Sequence, residues 1–166
     1  EEQYGGAGLG KLGYCIMIEE LARGCPSTCI TIGVSSSLCG TPISFAGTEE
    51  QKRKYLTAII QGKMLGAYAL TEAGSGSDAA GMKTTAVDDG DAYVLNGEKV
   101  FVTNGGIADV LVTFGLTDKA KGARGGITSF IVEKGMKGFK VERDEEKMGI
   151  HGSSTAVLVF QDMRVP

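Results

Sequence analysis

Hydrophobic and polar positions follow a helical period in the first part of the chain. Apolar side chains form a broad face along residues 14–23, while Glu19 and Glu20 lie on the opposite side. Gly24 and Pro26 come next and are typical of a helix end. The pattern therefore predicts an amphipathic helix over this stretch.

A second helix is predicted after Thr48. The run Thr48-Glu49-Glu50-Gln51 fits a capping box, in which the Thr hydroxyl accepts a backbone N–H and the Gln side chain reaches back. Gly62 can end this helix. Residues 30–34, between the two helices, stay ambiguous, since they alternate like a strand but have small neighbours that suit a tightly packed helix.

From about residue 66 the period changes to two, which is typical of strands. The segments with this pattern are 83–87, 92–95, 98–103, 110–116, 129–133 and 156–160. Asp89-Gly90 and Asn96-Gly97 are predicted to form tight hairpin turns. Because no helical crossover separates the strands, we expect an antiparallel barrel or sandwich over 66–166, preceded by a helical domain over 1–65, in an α+β fold.

The composition narrows the possible partners. With 17 Lys+Arg against 20 Asp+Glu, the formal charge of −3 argues against nucleic acid, which needs clustered basic charge. No run of about 18 consecutive apolar residues occurs, so no membrane span is expected. Cys25 and Cys29 lack the usual zinc spacing and His151 is the only histidine, so no metal site is predicted.

The glycine-rich start resembles two nucleotide-binding motifs without completing either. Residues 5–12 nearly match the phosphate loop GxxxxGK[ST], but Leu12 replaces the hydroxyl that would bind magnesium. Residues 8–13 match GxGxxG, but no strand is predicted before them. A flexible lead into the first helix explains these glycines better than a nucleotide site.

The segment 67–78 contains the first candidate binding residues. Thr71, Ser75 and Ser77 supply hydroxyls, and Gly74 and Gly76 leave the backbone open to a close approach. Successive backbone N–H groups in such a bend can surround one anion, such as a pyrophosphate. The alternative is an ordinary loop in which Ser and Asp bond their own backbone.

A second candidate segment is the predicted strand within 97–106. Phe101 and Thr103 should share one strand face, where an aromatic ring can pack on a flat ligand while a hydroxyl bonds the ligand's edge. Taken alone, Phe101 is more typical of a core position.

Together these segments resemble the acyl-CoA dehydrogenase family, and most closely its short-chain, butyryl-CoA-like members. The resemblance covers the whole chain in family order. The stretches that carry it are Tyr4-Gly5-Gly6-Ala7-Gly8, Glu19-Glu20-Leu21-Ala22, residues 47–56, residues 68–78, residues 96–106, Lys147-Met148-Gly149-Ile150 and the end at Val165-Pro166.

The resemblance implies an FAD-dependent oxidoreductase of fatty acid β-oxidation that converts acyl-CoA thioesters to 2-enoyl-CoA. It also implies an acyl-CoA substrate, an electron-transferring flavoprotein-type acceptor and a homotetrameric parent. The expected compartment is the bacterial cytoplasm or, in a eukaryote, the mitochondrial matrix. The alternative from another class is a non-catalytic β module that binds a flavin or acyl-CoA.

The resemblance also assigns roles to individual residues. Tyr68, Leu70 and Thr71 would line the flavin ring, with Thr71 bonding its pyrimidine edge. Gly76 and Ser77 would hold the pyrophosphate, and Ser77 would also contact the CoA part of the substrate. On the strand, Phe101 would lie against the ring, Val102 would line the cofactor site beside it, and Thr103 would bond near N5. Ala73 stands where the family usually has Pro, and Phe101 where many members have Trp.

No catalytic base is assigned within these residues, since neither Glu72 nor Asp78 matches the family's base position. The resemblance places the base in a C-terminal helical domain that would follow Pro166. It also implies that the N-terminal helical domain is partial. We therefore expect the chain by itself to be inactive and to bind FAD weakly.

Overall fold

Two of the three helices lie where the sequence pattern indicates. The computed structural model describes residues 2–166. Its helices are α1 (Gly10–Gly24), α2 (Pro26–Ala46) and α3 (residues 49–60), with short 3-10 turns at Glu2–Tyr4 and Ala79–Gly81. Cys25 separates α1 from α2 because its backbone is extended (φ −157°). Pro26 occupies the first turn of α2, where its missing N–H costs no hydrogen bond because the first N–H groups of a helix have no acceptor within it.

The ambiguous residues 30–34 lie inside α2, so the packed-helix alternative is correct. Wider π turns follow at Val34–Cys39, and the hydroxyl of Ser37 donates to the Gly33 carbonyl at 2.6 Å. Small residues let α2 approach the sheet closely: a Cβ added to Gly66 would come within 2.7 Å of the Cys39 Cβ.

By length and composition, α2 is the one helix within residues 2–166 that could cross a membrane. This differs from the sequence expectation because the segment carries no charged residue, although Ser and Thr interrupt its apolar positions. The core helix of a soluble protein passes the same test. In this fold Cys39 and Ile43 of α2 are buried together with Val110 and Val112 of the sheet.

The capping box at the start of α3 is confirmed. Gln51 N donates to Thr48 Oγ1 at 3.2 Å, and Thr48 N donates to Gln51 Oε1 at 2.9 Å. After the last helical turn, Gly62 adopts φ +68°, a conformation that suits glycine at a helix end. The local sequence signals at both ends of α3 therefore determine its length.

Seven strands form one open sheet after the helices. They are β1 (Gly66–Ala69), β2 (Thr85–Asp88), β3 (Tyr93–Thr103), β4 (Val110–Leu116), β5 (Ile127–Glu133), β6 (Phe139–Asp144) and β7 (Thr155–Val165). The order is β1-β4-β2-β3-β7-β6, and β5 pairs with β4. The α+β class is confirmed.

The sheet is mixed and open, not the all-antiparallel barrel or sandwich that the strand pattern predicts. β1 runs parallel to β4, with Gly66 opposite Val110, and β2 meets the end of β4 in parallel at Thr85 and Leu116. The connection from β1 to β4 passes through the β2–β3 hairpin. Because this crossover contains strands and no long helix, the usual sequence signal of parallel pairing is absent.

One predicted turn is wrong, and the predicted segments include neither β1 nor β6. Asp89-Gly90 does lie in the β2–β3 hairpin, but Asn96-Gly97 lies inside β3, at a register shift between Leu95 and Gly97. Gly97 is needed for close approach, since a Cβ there would lie 2.7 Å from the Thr84 Cβ. Strand β6 was not predicted because its sequence is mostly polar and mostly exposed.

Two buried clusters hold the fold together. The larger lies within the β part and includes Leu95, Leu158, Phe160 and Met163. The smaller joins the helices to β4; its buried members are Tyr4, Cys39, Ile43, Tyr55, Leu56, Val110 and Val112. The candidate segments lie beside the larger cluster, on β1, β3 and the loop after β1.

Candidate functional site

The two candidate segments lie side by side. The backbone N–H of Val100 in β3 donates to the Thr71 carbonyl at 2.8 Å, and the Lys99 ammonium donates to the Leu70 carbonyl at 3.2 Å. The loop that follows β1 is therefore fastened to the middle of β3. The two candidate segments are therefore direct neighbours in the fold.

The loop after β1 has a tight inner turn and an open outer side. Glu72 and Ser75 exchange two backbone hydrogen bonds, each 3.0 Å long. A Cβ built on Gly74 or Gly76 would meet no atom within 4 Å. Packing within the protein thus does not require these glycines, and the space outside the loop can admit a ligand.

Several polar groups on this surface have no partner in the described chain. Within residues 2–166, the hydroxyls of Thr71, Ser77 and Thr103 are bonded to no protein group. The backbone N–H groups of Gly76 and Ser77 likewise donate to no backbone carbonyl there. These groups are the donors that a diphosphate and the polar edge of a flat ring require.

Strand β3 presents Phe101 through a bulge. The pairing register with β7 shifts between Lys99 and Val102, and Phe101, within this shift, adopts φ +56°. Its side chain is 66% exposed, while the side chain of Val102 is buried in the core. The core alternative for Phe101 is therefore wrong. Bulges of this kind redirect a side chain and are common beside binding sites.

Because Phe101 gains little from packing and occupies a left-handed conformation, we expect Phe101→Gly to leave the free energy of unfolding within about 1 kcal/mol of the parent value. The matched control is Phe160→Ala, which removes a ring that is 2% exposed and should cost about 3–5 kcal/mol. Urea unfolding of both variants measures this. A loss above about 2 kcal/mol for Phe101→Gly would show that its ring packs on the protein.

The remaining predicted residues contribute in different ways. Tyr68 is half-buried and meets Phe114 edge-on, with ring centroids 5.2 Å apart, and burial raises the pKa of its phenol. Leu70 and Thr71 are half-buried at the start of the loop, and Gly76 and Ser77 are exposed. Val102 can offer a ligand only its backbone, since its side chain is 1% exposed.

A buried ion pair, not assigned from the sequence, lies directly beneath this surface. Lys99 Nζ and Glu72 Oε1 are 2.7 Å apart, and both side chains are shielded from solvent. The Glu72 carboxylate also accepts the backbone N–H groups of Lys83 (2.6 Å) and Thr84 (3.0 Å). The available signal was a lysine at an inward position of an alternating strand.

The ion pair shifts the acidity of both groups. Burial opposes the charge on Glu72, but the hydrogen bonds from Lys99 and from the loop outweigh it and hold the pKa of this carboxyl below its usual value. Burial also lowers the pKa of Lys99, and its bond to Glu72 offsets this only in part. The Glu72 carboxylate therefore accepts hydrogen bonds from Lys99, Lys83 and Thr84 in its charged form.

Two family models match the chain one after the other. They are acyl-CoA dehydrogenase, N-terminal domain, over residues 1–63, and acyl-CoA dehydrogenase, middle domain, over residues 67–163. The chain belongs to the acyl-CoA dehydrogenase family. The resemblance inferred from the motifs is thus confirmed.

The family members similar to this chain are considerably longer. The short-chain specific acyl-CoA dehydrogenase of Clostridium acetobutylicum is 50% identical over 165 residues, which are 99% of this chain and 43% of that protein. Butyryl-CoA dehydrogenase from Megasphaera elsdenii superposes with a TM-score of 0.94 at 48% identity, over 100% of this chain and 44% of that chain. This chain therefore spans less than half the length of these relatives.

A further similar structure comes from work on flavin-based electron bifurcation. A chain in the structure of the electron transferring flavoprotein of Acidaminococcus fermentans superposes with a TM-score of 0.97 at 51% identity. The superposition covers 100% of this chain and 43% of that chain. The arrangement of helices and sheet is thus shared with family members at high sequence identity.

Proposed function

We propose that this chain supplies the N-terminal and middle portions of an FAD-dependent acyl-CoA dehydrogenase that oxidises acyl-CoA thioesters to 2-enoyl-CoA. The observation that carries the proposal is the match to both domain models in order, together with identity near 50% to short-chain specific enzymes. Bound FAD would supply the ring that accepts a hydride during such an oxidation.

The described residues fit this cofactor. Thr71 offers an unpartnered hydroxyl to a ring edge, Gly76 and Ser77 offer unpartnered N–H groups and open space to a pyrophosphate, and Phe101 offers an exposed aromatic face. Tyr68 and Leu70 would line the flavin ring, with the Val102 backbone and the Thr103 hydroxyl beside Phe101. Ser77 would also contact the CoA part of the substrate.

We assign no catalytic base within residues 2–166. Glu72 is bonded to Lys99 and to two backbone N–H groups, so it cannot also take a proton from substrate without breaking this set. Thr103 would act by donating a hydrogen bond near the site where negative charge develops. The proton acceptor is proposed to come from residues outside this chain, and the chain alone is proposed to be inactive.

Titration of the purified 166-residue chain with FAD tests this proposal. We expect saturable binding in roughly the micromolar range or weaker, and no oxidation of butyryl-CoA with a dye acceptor. Gly76→Val should weaken binding about tenfold, which corresponds to about 1.4 kcal/mol of lost phosphate contact. Gly149→Val is the matched control, since both glycines face open space.

Three outcomes would contradict this account. Absence of FAD binding would refute the flavin site, and butyryl-CoA oxidation by the chain would refute the missing base. Nanomolar binding of FAD or acyl-CoA would favour the non-catalytic β module if the native gene product were also no longer than 166 residues.

Partners and location follow from the same proposal. The acceptor would be an electron-transferring flavoprotein, and the parent would assemble as a homotetramer. Similar proteins include a bacterial enzyme and the mitochondrial short-chain specific acyl-CoA dehydrogenase of Homo sapiens. We propose the bacterial cytoplasm or the mitochondrial matrix as the compartment.

A further inference from the structure

We propose that the buried Lys99–Glu72 pair is a positioning element that sets the conformation of the cofactor-binding loop, an inference that rests on the function proposed above. Neither side chain would contact the cofactor. Both would act through the backbone of residues 70–77, whose side chains and N–H groups form the outer surface.

The contacts of the pair hold the chain at the beginning of this loop and again after its end. The Lys99 ammonium bonds the carbonyl of Leu70 and the carboxylate of Glu72, at 3.2 and 2.7 Å. Glu72 in turn bonds the N–H groups of Lys83 and Thr84, where the chain returns to the sheet. One ion pair thus joins β3, the beginning of the loop and the segment that leads into β2.

The surroundings leave this arrangement little freedom. Lys99 is completely buried, and Gly97, two residues before it, packs so closely on Thr84 that a Cβ would lie 2.8 Å from the Thr84 Cα. The bond from Val100 N to the Thr71 carbonyl fixes the residue between Leu70 and Glu72. The Thr71 hydroxyl, which bonds no protein group within residues 2–166, would then stay available to a ligand.

The energetics favour a positioning role over a purely stabilising one. Burying two charges is costly, and apolar residues of similar volume often give equal or greater stability. If the pair only filled the core, replacing both residues together with apolar ones would change neither the stability nor the loop. A pair that holds three backbone groups in place, the Leu70 carbonyl and the N–H groups of Lys83 and Thr84, would leave the loop with several conformations once replaced.

The test uses the double variant Glu72→Leu/Lys99→Met of the 166-residue chain. We expect its thermal stability to approach that of the parent chain, while amide hydrogen exchange of residues 71–77 becomes faster without any ligand. FAD binding should weaken about tenfold, as expected if the competent loop conformation falls to about a tenth of the population. Met163→Ala, a core change in β7, is the control and should keep FAD affinity within about twofold.

The outcomes separate the two proposals. If the double variant recovers parental exchange rates and FAD affinity together with stability, the pair is structural only and the inference is wrong. If the parent chain binds no FAD but the loop exchange still increases, the flavin proposal fails and the positioning of the loop stands. Glu72→Gln, which keeps the side-chain shape, provides the same readouts if the double variant does not fold.

Discussion

Replacing Lys99 with methionine is expected to lower the free energy of unfolding by about 3–5 kcal/mol, because the Glu72 carboxylate would stay buried without its cation. Adding Glu72→Leu should recover most of this loss, since the double variant buries no charge. Urea unfolding of the parent, both single variants and the double variant forms a complete thermodynamic cycle. A loss below about 1 kcal/mol for Lys99→Met would contradict a desolvated pair.

The same pair predicts a dependence on pH. Since the folded-state pKa of Glu72 lies below its ordinary value of 4.5, its contribution to stability is present above about pH 4.5 and is lost as pH falls through the folded-state pKa. Between about pH 5 and pH 3, the parent should therefore lose more stability than the Glu72→Leu/Lys99→Met variant. Parallel acid dependence in the two proteins would assign the effect to other carboxylates.

The second large effect is expected at Asn104, which joins helix and sheet. Its side-chain amide donates to the carbonyls of Thr31 in α2 and Gly66 in β1, both at 2.9 Å, and the residue is fully buried with φ +66°. Asn104→Ala should cost about 2–4 kcal/mol, because two buried carbonyls lose their donor and alanine disfavours this conformation. Thermal or urea unfolding measures the loss.

Asn104→Gly separates the two causes of this loss. Glycine adopts φ +66° without strain, so the glycine variant should be about 1 kcal/mol more stable than the alanine variant while still lacking both hydrogen bonds. A cost below about 1 kcal/mol for both variants would mean that water replaces the amide at this position.

Local signals predicted the parts of the fold that depend on local chemistry. The capping box at Thr48 and the ending of α3 at Gly62 need only neighbouring residues, and both occur. The turn predicted at Asn96-Gly97 failed because Gly97 serves a long-range contact, the close approach of Thr84. Glycine thus occurs for two different reasons, a local turn at Gly62 and a close long-range contact at Gly97, and the sequence pattern is the same for both.

The candidate site shows the same division. The residue types of 68–78 and 101–103 indicated a ligand surface, and the bond from Val100 to Thr71 places the two segments together. The roles proposed for their side chains toward FAD stay predictions. The bulge at Phe101 depends on the register of β3 against β7, and the Lys99–Glu72 pair depends on a partner 27 residues away. The pattern of apolar positions along the chain therefore predicts neither of them.

The most direct test of the central claim is a map of backbone amide chemical shifts in the isotope-labelled 166-residue chain as FAD is added. This account predicts that the largest changes fall on Thr71, on residues 74–77 and on residues 101–103, and that amides around the cavity beside Tyr55 and Glu133 stay unchanged. Changes confined to that cavity, or spread evenly over the chain, would contradict a flavin surface built from the loop after β1 and the bulge of β3.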